Sequence, residues 1–215
     1  MPYYTAYGLR IRSFLFLPGL PSDEGPPDVD IRLGRLNRRP KALVKEGCLR
    51  VSKNQALLSW QDVGAFLISD GREIIVYSSL ETDDRLLRLF IVGPPLGILL
   101  HQREQLVLHA SAVSIDGEIV AFLAGSGCGK STIAAALHAR GHGVVADDVL
   151  AADATRENPT VHSGFPQLKL WPKAATLLTD IPDNLPRLHP RFEKRACPAI
   201  RGFQLNQCGS DAFTS

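Results

Sequence analysis

The hydrophobic and polar positions change rhythm along the chain. Over residues 1–80 they alternate with the two-residue period of β-strands. "YGLRIRSFLFL" alternates in this way and predicts a strand that ends at Pro18, and "SDEGPPD" follows as a run of turn residues. "ALVKEGCLRV" predicts a hairpin around Glu46-Gly47. "GAFLISDGREIIVYSS" predicts another, with two apolar runs on either side of Asp70-Gly71, a dipeptide suited to a tight turn. After Glu81 the spacing becomes helical. "TDDRLLRLFIVGPPLGILLHQRE" carries it on both sides of a Gly-Pro-Pro break, which predicts two short helices or one strongly kinked one. Thr82 is the predicted N-cap, with Asp83 and Asp84 favourable in the first turn.

From residue 104 strands and helices are interleaved. "LVLHASAVSI" predicts a strand, "DGE" a turn and "IVAFLA" a second strand, followed by the loop "AGSGCGKST". "STIAAALHAR" predicts a helix stopped by Gly141. "GVVADDVLAAD" predicts a buried strand with carboxylates at its end, "ENPT" a turn, "FPQLKLW" another strand, and "PKAATLL" a helix that opens on proline. Beyond about Asp180 the chain is rich in Pro and Arg and carries no clear period. The organisation predicted is a β-rich region over 1–80, a helical connector over 81–103 and a domain of interleaved strands and helices over 104–215.

The composition is that of an ordinary globular protein: 215 residues, 45% hydrophobic and 21% charged. A formal net charge of +2 gives no argument for a nucleic-acid partner. The basic run Arg32, Arg35, Arg38, Arg39 and Lys41 reads as a solvated edge. The longest apolar run, Leu89 to Leu100, is broken by Gly93, Pro94 and Pro95, so no membrane-spanning helix is predicted. Cys48, Cys128, Cys197 and Cys208 are scattered without a CxxC pair or zinc spacing, which predicts a reduced, cytoplasmic chain.

The loop carries the chemistry. The phosphate-loop pattern G-x-x-x-x-G-K-[ST] between a strand and a helix is met at Gly129, Lys130 and Ser131, with Ala124 in place of the first glycine. Gly125 and Gly127 still give the backbone freedom, so Gly125, Ser126, Gly127, Cys128, Gly129, Lys130, Ser131 and Thr132 form the candidate nucleotide-binding set. Successive amides of such a loop turn inward as an anion nest, and the helix that follows adds its positive end. Lys130 supplies a cation for the β- and γ-phosphates, and the Ser131 hydroxyl can ligate Mg²⁺, a set that by itself fits a kinase, a hydrolase or a nucleotide-gated switch. One of Asp147 and Asp148 can hold the metal and the other can accept a proton from an attacking hydroxyl. Adjacent strand residues face opposite ways, which suits two different tasks. His109 stands alone in an apolar strand. If that strand lies beside 118–124, the imidazole approaches the phosphate end and can tune or relay a proton.

Together these residues resemble the catalytic core of HPr kinase/phosphorylase. The likeness runs from about 104 to 153, "LHASAVSIDGEIVAFLAGSGCGKSTIAAALHARGHGVVADDVL", and continues more weakly through "GFPQLKLWP". "YGLRIRSFLFLPGLP" is similar to the opening of small HPr kinase-related proteins found with lasso-peptide biosynthesis. The resemblance implies an α/β, phosphoenolpyruvate-carboxykinase-like P-loop kinase core preceded by a small β-rich region. It implies ATP- and Mg²⁺-dependent phosphorylation of a serine in a peptide or protein, with His109, Asp147 and Asp148 catalytic and Ser131, Asp147 and Asp148 at the metal. A lasso precursor peptide is the implied acceptor, and homo-oligomers are implied by analogy. The family's later phosphorolysis signature is missing, so phosphorylase activity is not expected. "RACPAIRGFQLNQCGSDAFTS" stops short of the family's usual length, which keeps open an incomplete nucleotide-binding or partner-binding protein, and a small-molecule kinase as well.

Overall fold

A computed structural model describes residues 1–34, 48–79, 81–155, 159–189, 192–199 and 208–209 of the chain. The chain divides into two compact units. The first comprises residues 1–5 and 9–104, and the second residues 6–8 and 105–215.

The first unit is built on a mixed sheet of seven strands: β1 (Tyr3–Ala6), β2 (Leu9–Ser13), β3 (Val29–Leu33), β4 (Cys48–Val51), β5 (Gln55–Trp60), β6 (Gly64–Ser69) and β7 (Glu73–Tyr77). Their spatial order is β1-β2-β3-β7-β6-β5-β4. β2, β3 and β7 pair in parallel, whereas β7, β6, β5 and β4 pair antiparallel. The alternation that predicted strands is visible in β2, where Leu9, Ile11 and Ser13 are buried between the less buried Arg10 and Arg12. The strand expected over "YGLRIRSFLFL" is shorter than its pattern, because Tyr7 and Gly8 take positive φ (54° and 70°) and turn the chain between β1 and β2. Positive φ at Asp70 and Gly71 closes the β6–β7 turn at the expected place. The hairpin expected at Glu46-Gly47, and the basic residues Arg35, Arg38, Arg39 and Lys41, lie outside the described residues.

Two helices complete this unit: α1 (Asp84–Ile91) and α2 (Pro94–Gln102). They are separate helices, with Pro94 at the start of α2, where a missing N–H costs nothing. Asp83, not Thr82, caps α1: its carboxylate accepts the Arg85 amide at 2.8 Å. A carboxylate in that position also meets the positive end of the helix dipole. Leu86, Leu87, Ile91, Leu96, Leu99 and Leu100 are buried.

The second unit contains three small sheets. β9 (Ala110–Ile115) is the central strand of one, antiparallel to β10 (Glu118–Leu123) on one side and to β11 (Gly143–Ala146) on the other. β8 (Leu106–Leu108), β12 (Leu150–Asp153), β13 (Thr160–His162) and β16 (Cys208–Gly209) form the second, in the order β16-β13-β12-β8. β14 (Gln167–Leu170) and β15 (Arg195–Pro198) form the third. Among the described residues its helices are α3 (Lys130–His138), the single turn α4 (Pro172–Ala175) and a 3-10 turn (Pro182–Asn184). Two runs read as continuous strands are broken. "LVLHASAVSI" bends at His109, so that β8 and β9 join different sheets. "GVVADDVLAAD" bends at Asp147-Asp148, where Asp148 takes φ 73°.

These features correct the expected fold class. An α/β kinase core needs parallel strands joined by helical crossovers. Here strands dominate the described residues, the largest sheet is the seven-stranded mixed one, and helix is scarce. The strands of the second unit are short, and among the described residues they pair antiparallel. The physical reason is the turn chemistry: Asp116-Gly117 returns β9 directly into β10, so that pair needs no helix. The region expected as a small β-rich preface is itself a full sheet. No helix among the described residues is long and apolar enough to cross a membrane.

The core under the loop is built of small and branched side chains: Val113, Ala134, Ala135, Val144, Leu168 and Leu170 are buried together. Alanines on α3 let the helix approach the sheet closely. Leu168→Ala should leave a cavity there and cost about 2–5 kcal/mol of unfolding free energy, measured by urea denaturation.

Candidate functional site

β10 and β11 run in the same direction on either side of β9. Their C-terminal ends therefore meet the N-terminal end of β9 at one edge of the sheet. That edge collects the chemistry. β10 delivers the loop 124–129, β11 delivers Asp147 and Asp148, and β9 delivers Ser111, with His109 at the bend just before it.

The loop takes a shape that its glycines permit. Gly127 and Gly129 have φ of 82° and 87°, in the left-handed region where a side chain is strained. Gly129 is the N-cap of α3, and the first-turn amides of Lys130, Ser131 and Thr132 have no partner within the helix. Lys130 is buried and folds back over the loop, donating to the carbonyls of Ala124 and Gly125 at 2.8 and 3.0 Å. Its ammonium is thus held inside the arc of the loop.

Asp147 is the hub. Its Oδ1 accepts the hydroxyls of Ser111 (2.6 Å) and Ser131 (2.7 Å), and its Oδ2 accepts the amide of Lys169 (2.8 Å). One buried carboxylate thereby joins β9, α3 and β14. Burial pushes its pKa up, the nearby charge of Asp148 adds to this, and the three hydrogen bonds oppose it. Asp148 has a different environment. Its Oδ2 accepts the Lys169 ammonium at 2.6 Å. Burial works to raise its pKa but is outweighed by Lys169, with Lys194 and His109 adding to the effect, so the carboxyl lies below the usual range.

His109 meets Asp148 through the backbone. Nδ1 lies 3.0 Å from the Asp148 carbonyl oxygen. A carbonyl can only accept, so Nδ1 carries a proton in this contact. The histidine lies at the sheet edge beside the loop, as its strand position suggested, but the sequence gives no sign that its partner is a peptide group. Tyr7 holds the next carbonyl: its hydroxyl reaches Val149 O at 3.3 Å. Burial first, then the charges of Asp148 and Asp147, push the phenol well above its ordinary pKa, so it remains a neutral donor. Together these two contacts secure a peptide whose φ is uncommon for a residue with a side chain.

A cleft opens over this edge, lined by Ser126, Gly127 and residues 129–132 of the loop and by His109, Asp148, Lys169, Trp171 and Lys194. Sequence reasoning missed the last three, together with Ser111 and Tyr7. The alternation of "QLKLW", with Lys169 between two buried leucines, was the available signal for Lys169: a lysine in a buried strand needs a carboxylate. Cys128 is an exposed free thiol on the loop.

No protein-family model and no curated protein matches the chain. The two carboxylates differ in environment, with Asp147 turned inward to three donors and Asp148 turned to a lysine on the cleft wall.

The Asp148–Lys169 pair has a definite pH signature. A depressed folded-state pKa gives stability that is complete above the ordinary aspartate range and is lost as pH falls through the folded pKa. Wild type should be more stable than Asp148→Asn at pH 7. The gap should shrink steadily below about pH 4 as the wild-type carboxyl takes up its proton, as followed by urea unfolding at a series of pH values.

Proposed function

We propose that the chain is an ATP-dependent serine kinase that transfers the γ-phosphoryl group to a peptide or protein hydroxyl. One observation carries this reading. Lys130 and Ser131 of the loop share a cleft with Asp148, and Ser131 is hydrogen-bonded to Asp147. An ammonium and a hydroxyl of the glycine-rich loop thus meet two carboxylates of unlike environment at one sheet edge. The resemblance of residues 104–153 to HPr kinase supports serine as the acceptor class and a ribosomally made peptide as the kind of substrate. The reading places the protein in the cytoplasm, where ATP is available.

Loop amides and Lys130 would bind the β- and γ-phosphates. Magnesium favours one or two carboxylates with phosphate and water oxygens over an all-protein cage. Asp147 Oδ1 and Ser131 Oγ, 2.7 Å apart, offer an oxygen pair of that kind. When bound, the ion supplies neutralisation of the phosphate charge. Asp148 faces the acceptor. The serine oxygen attacks the γ-phosphorus, the bond to the β-bridging oxygen breaks with its electron pair leaving on ADP, and the hydroxyl proton passes to Asp148. Lys169 holds that carboxylate in place. His109 fixes the Asp148 peptide and acts as a positioning residue. Most of the rate would come from alignment and charge stabilisation.

Two measurements test the reading. Calorimetry should show Mg-ATP binding by the native chain and its loss in Lys130→Ala. No binding by the folded native chain would overturn the proposal. In a γ-labelled ATP transfer assay, Asp147→Asn and Asp148→Asn should each lower transfer about 100-fold or more. Full activity in both variants would exclude the mechanism.

A further inference from the structure

The phosphate loop accounts for one wall of the cleft, and the opposite wall has its own chemistry. Lys169 comes from β14, and Trp171 follows it at the N-cap of α4. Lys194 directly precedes β15, whose Arg195 pairs with Leu170 of β14. Antiparallel pairing therefore brings the three side chains to one surface. Trp171 is 52% exposed, an unusual position for a large aromatic ring. The Lys194 ammonium stands 5.9 Å from its ring centroid. A cation on an aromatic face is held in place yet keeps its charge and its donors for a further partner. Lys169 is committed to Asp148, whereas Lys194 has no carboxylate at ion-pair distance among the described residues.

We propose that Trp171 and Lys194 form an acceptor subsite for an anionic side chain, so that the preferred acceptor is a peptide with a carboxylate close to its serine. The proposal rests on the kinase reading for its direction. Lys169 and Lys194 lie on the Asp148 side, where the hydroxyl would be activated, while the nucleotide phosphates have Lys130 and the loop amides. Three ammonium groups, Lys130, Lys169 and Lys194, line the cleft together with one carboxylate, Asp148. That balance favours an acidic ligand and repels a basic one. The flat indole offers a surface for the aliphatic stem or backbone of the bound peptide.

The probes are two synthetic octapeptides with one central serine, flanked by aspartates in one and by asparagines in the other. Binding to the full chain is read without nucleotide, from tryptophan fluorescence and calorimetry. The aspartate peptide should bind about tenfold more tightly, and 0.5 M salt should remove most of that difference. Lys194→Gln, a change at a partly exposed side chain, should bring the aspartate peptide to the level of the asparagine peptide. Mg-ATP is titrated into the same samples. A loss of nucleotide affinity in Lys194→Gln equal to the loss of peptide affinity would assign the lysine to the nucleotide and overturn the subsite. Equal binding of the two peptides, or binding of neither, would overturn it as well. A chain that discriminates between the peptides yet ignores Mg-ATP would keep the subsite and lose the kinase reading.

Discussion

A single buried carboxylate sets the geometry of the second unit. Asp147 accepts two hydroxyls and one amide from three different elements, and each contact is short. An ionised group taken from water is tolerated only when its oxygens are satisfied, so these three donors are obligatory. The balance remains tight: burial still pushes the carboxyl upward against all three hydrogen bonds. Because one donor is Ser131, the first turn of α3 is placed by the same group that ends β11. The loop between β10 and α3 must then close over a fixed span, and the left-handed glycines make that closure possible.

The cleft inherits a division of charge from this arrangement. Asp147 is turned inward to three donors, while Asp148, one residue on and at positive φ, lines the cleft and is caught by Lys169. Neighbouring carboxylates would repel one another if both faced the same space. Separate partners let them stand side by side with opposite displacements of pKa. His109 and Tyr7 keep the bend from relaxing by holding the carbonyls of Asp148 and Val149. The lysines of the far wall then complete a surface suited to anions.

Much of this was legible in the sequence at the level of local chemistry. The glycines predicted a loop with backbone freedom, and Gly127 and Gly129 take left-handed φ in it, while the two adjacent aspartates stand in different environments. The Asp70-Gly71 turn and the Gly-Pro-Pro break fell where local backbone rules put them. Architecture was harder to read. A strand–loop–helix motif invites a parallel α/β core, yet the strands here return through tight turns and pair antiparallel. Hydrophobic period alone does not report pairing direction. The bends at His109 and Asp148 were hidden because apolar residues continue on both sides of each. Lys169, Trp171 and Lys194 are joined only by the β14–β15 pairing, a contact across residues that no local pattern connects.

The most direct test is amide hydrogen exchange across residues 124–133, with and without Mg-ATP. If the loop is a phosphate cradle placed by Asp147, its amides and the first turn of α3 should gain protection on nucleotide addition. An Asp147→Ala chain that remains folded should lose that gain. Unchanged exchange through the loop at saturating Mg-ATP would contradict the account.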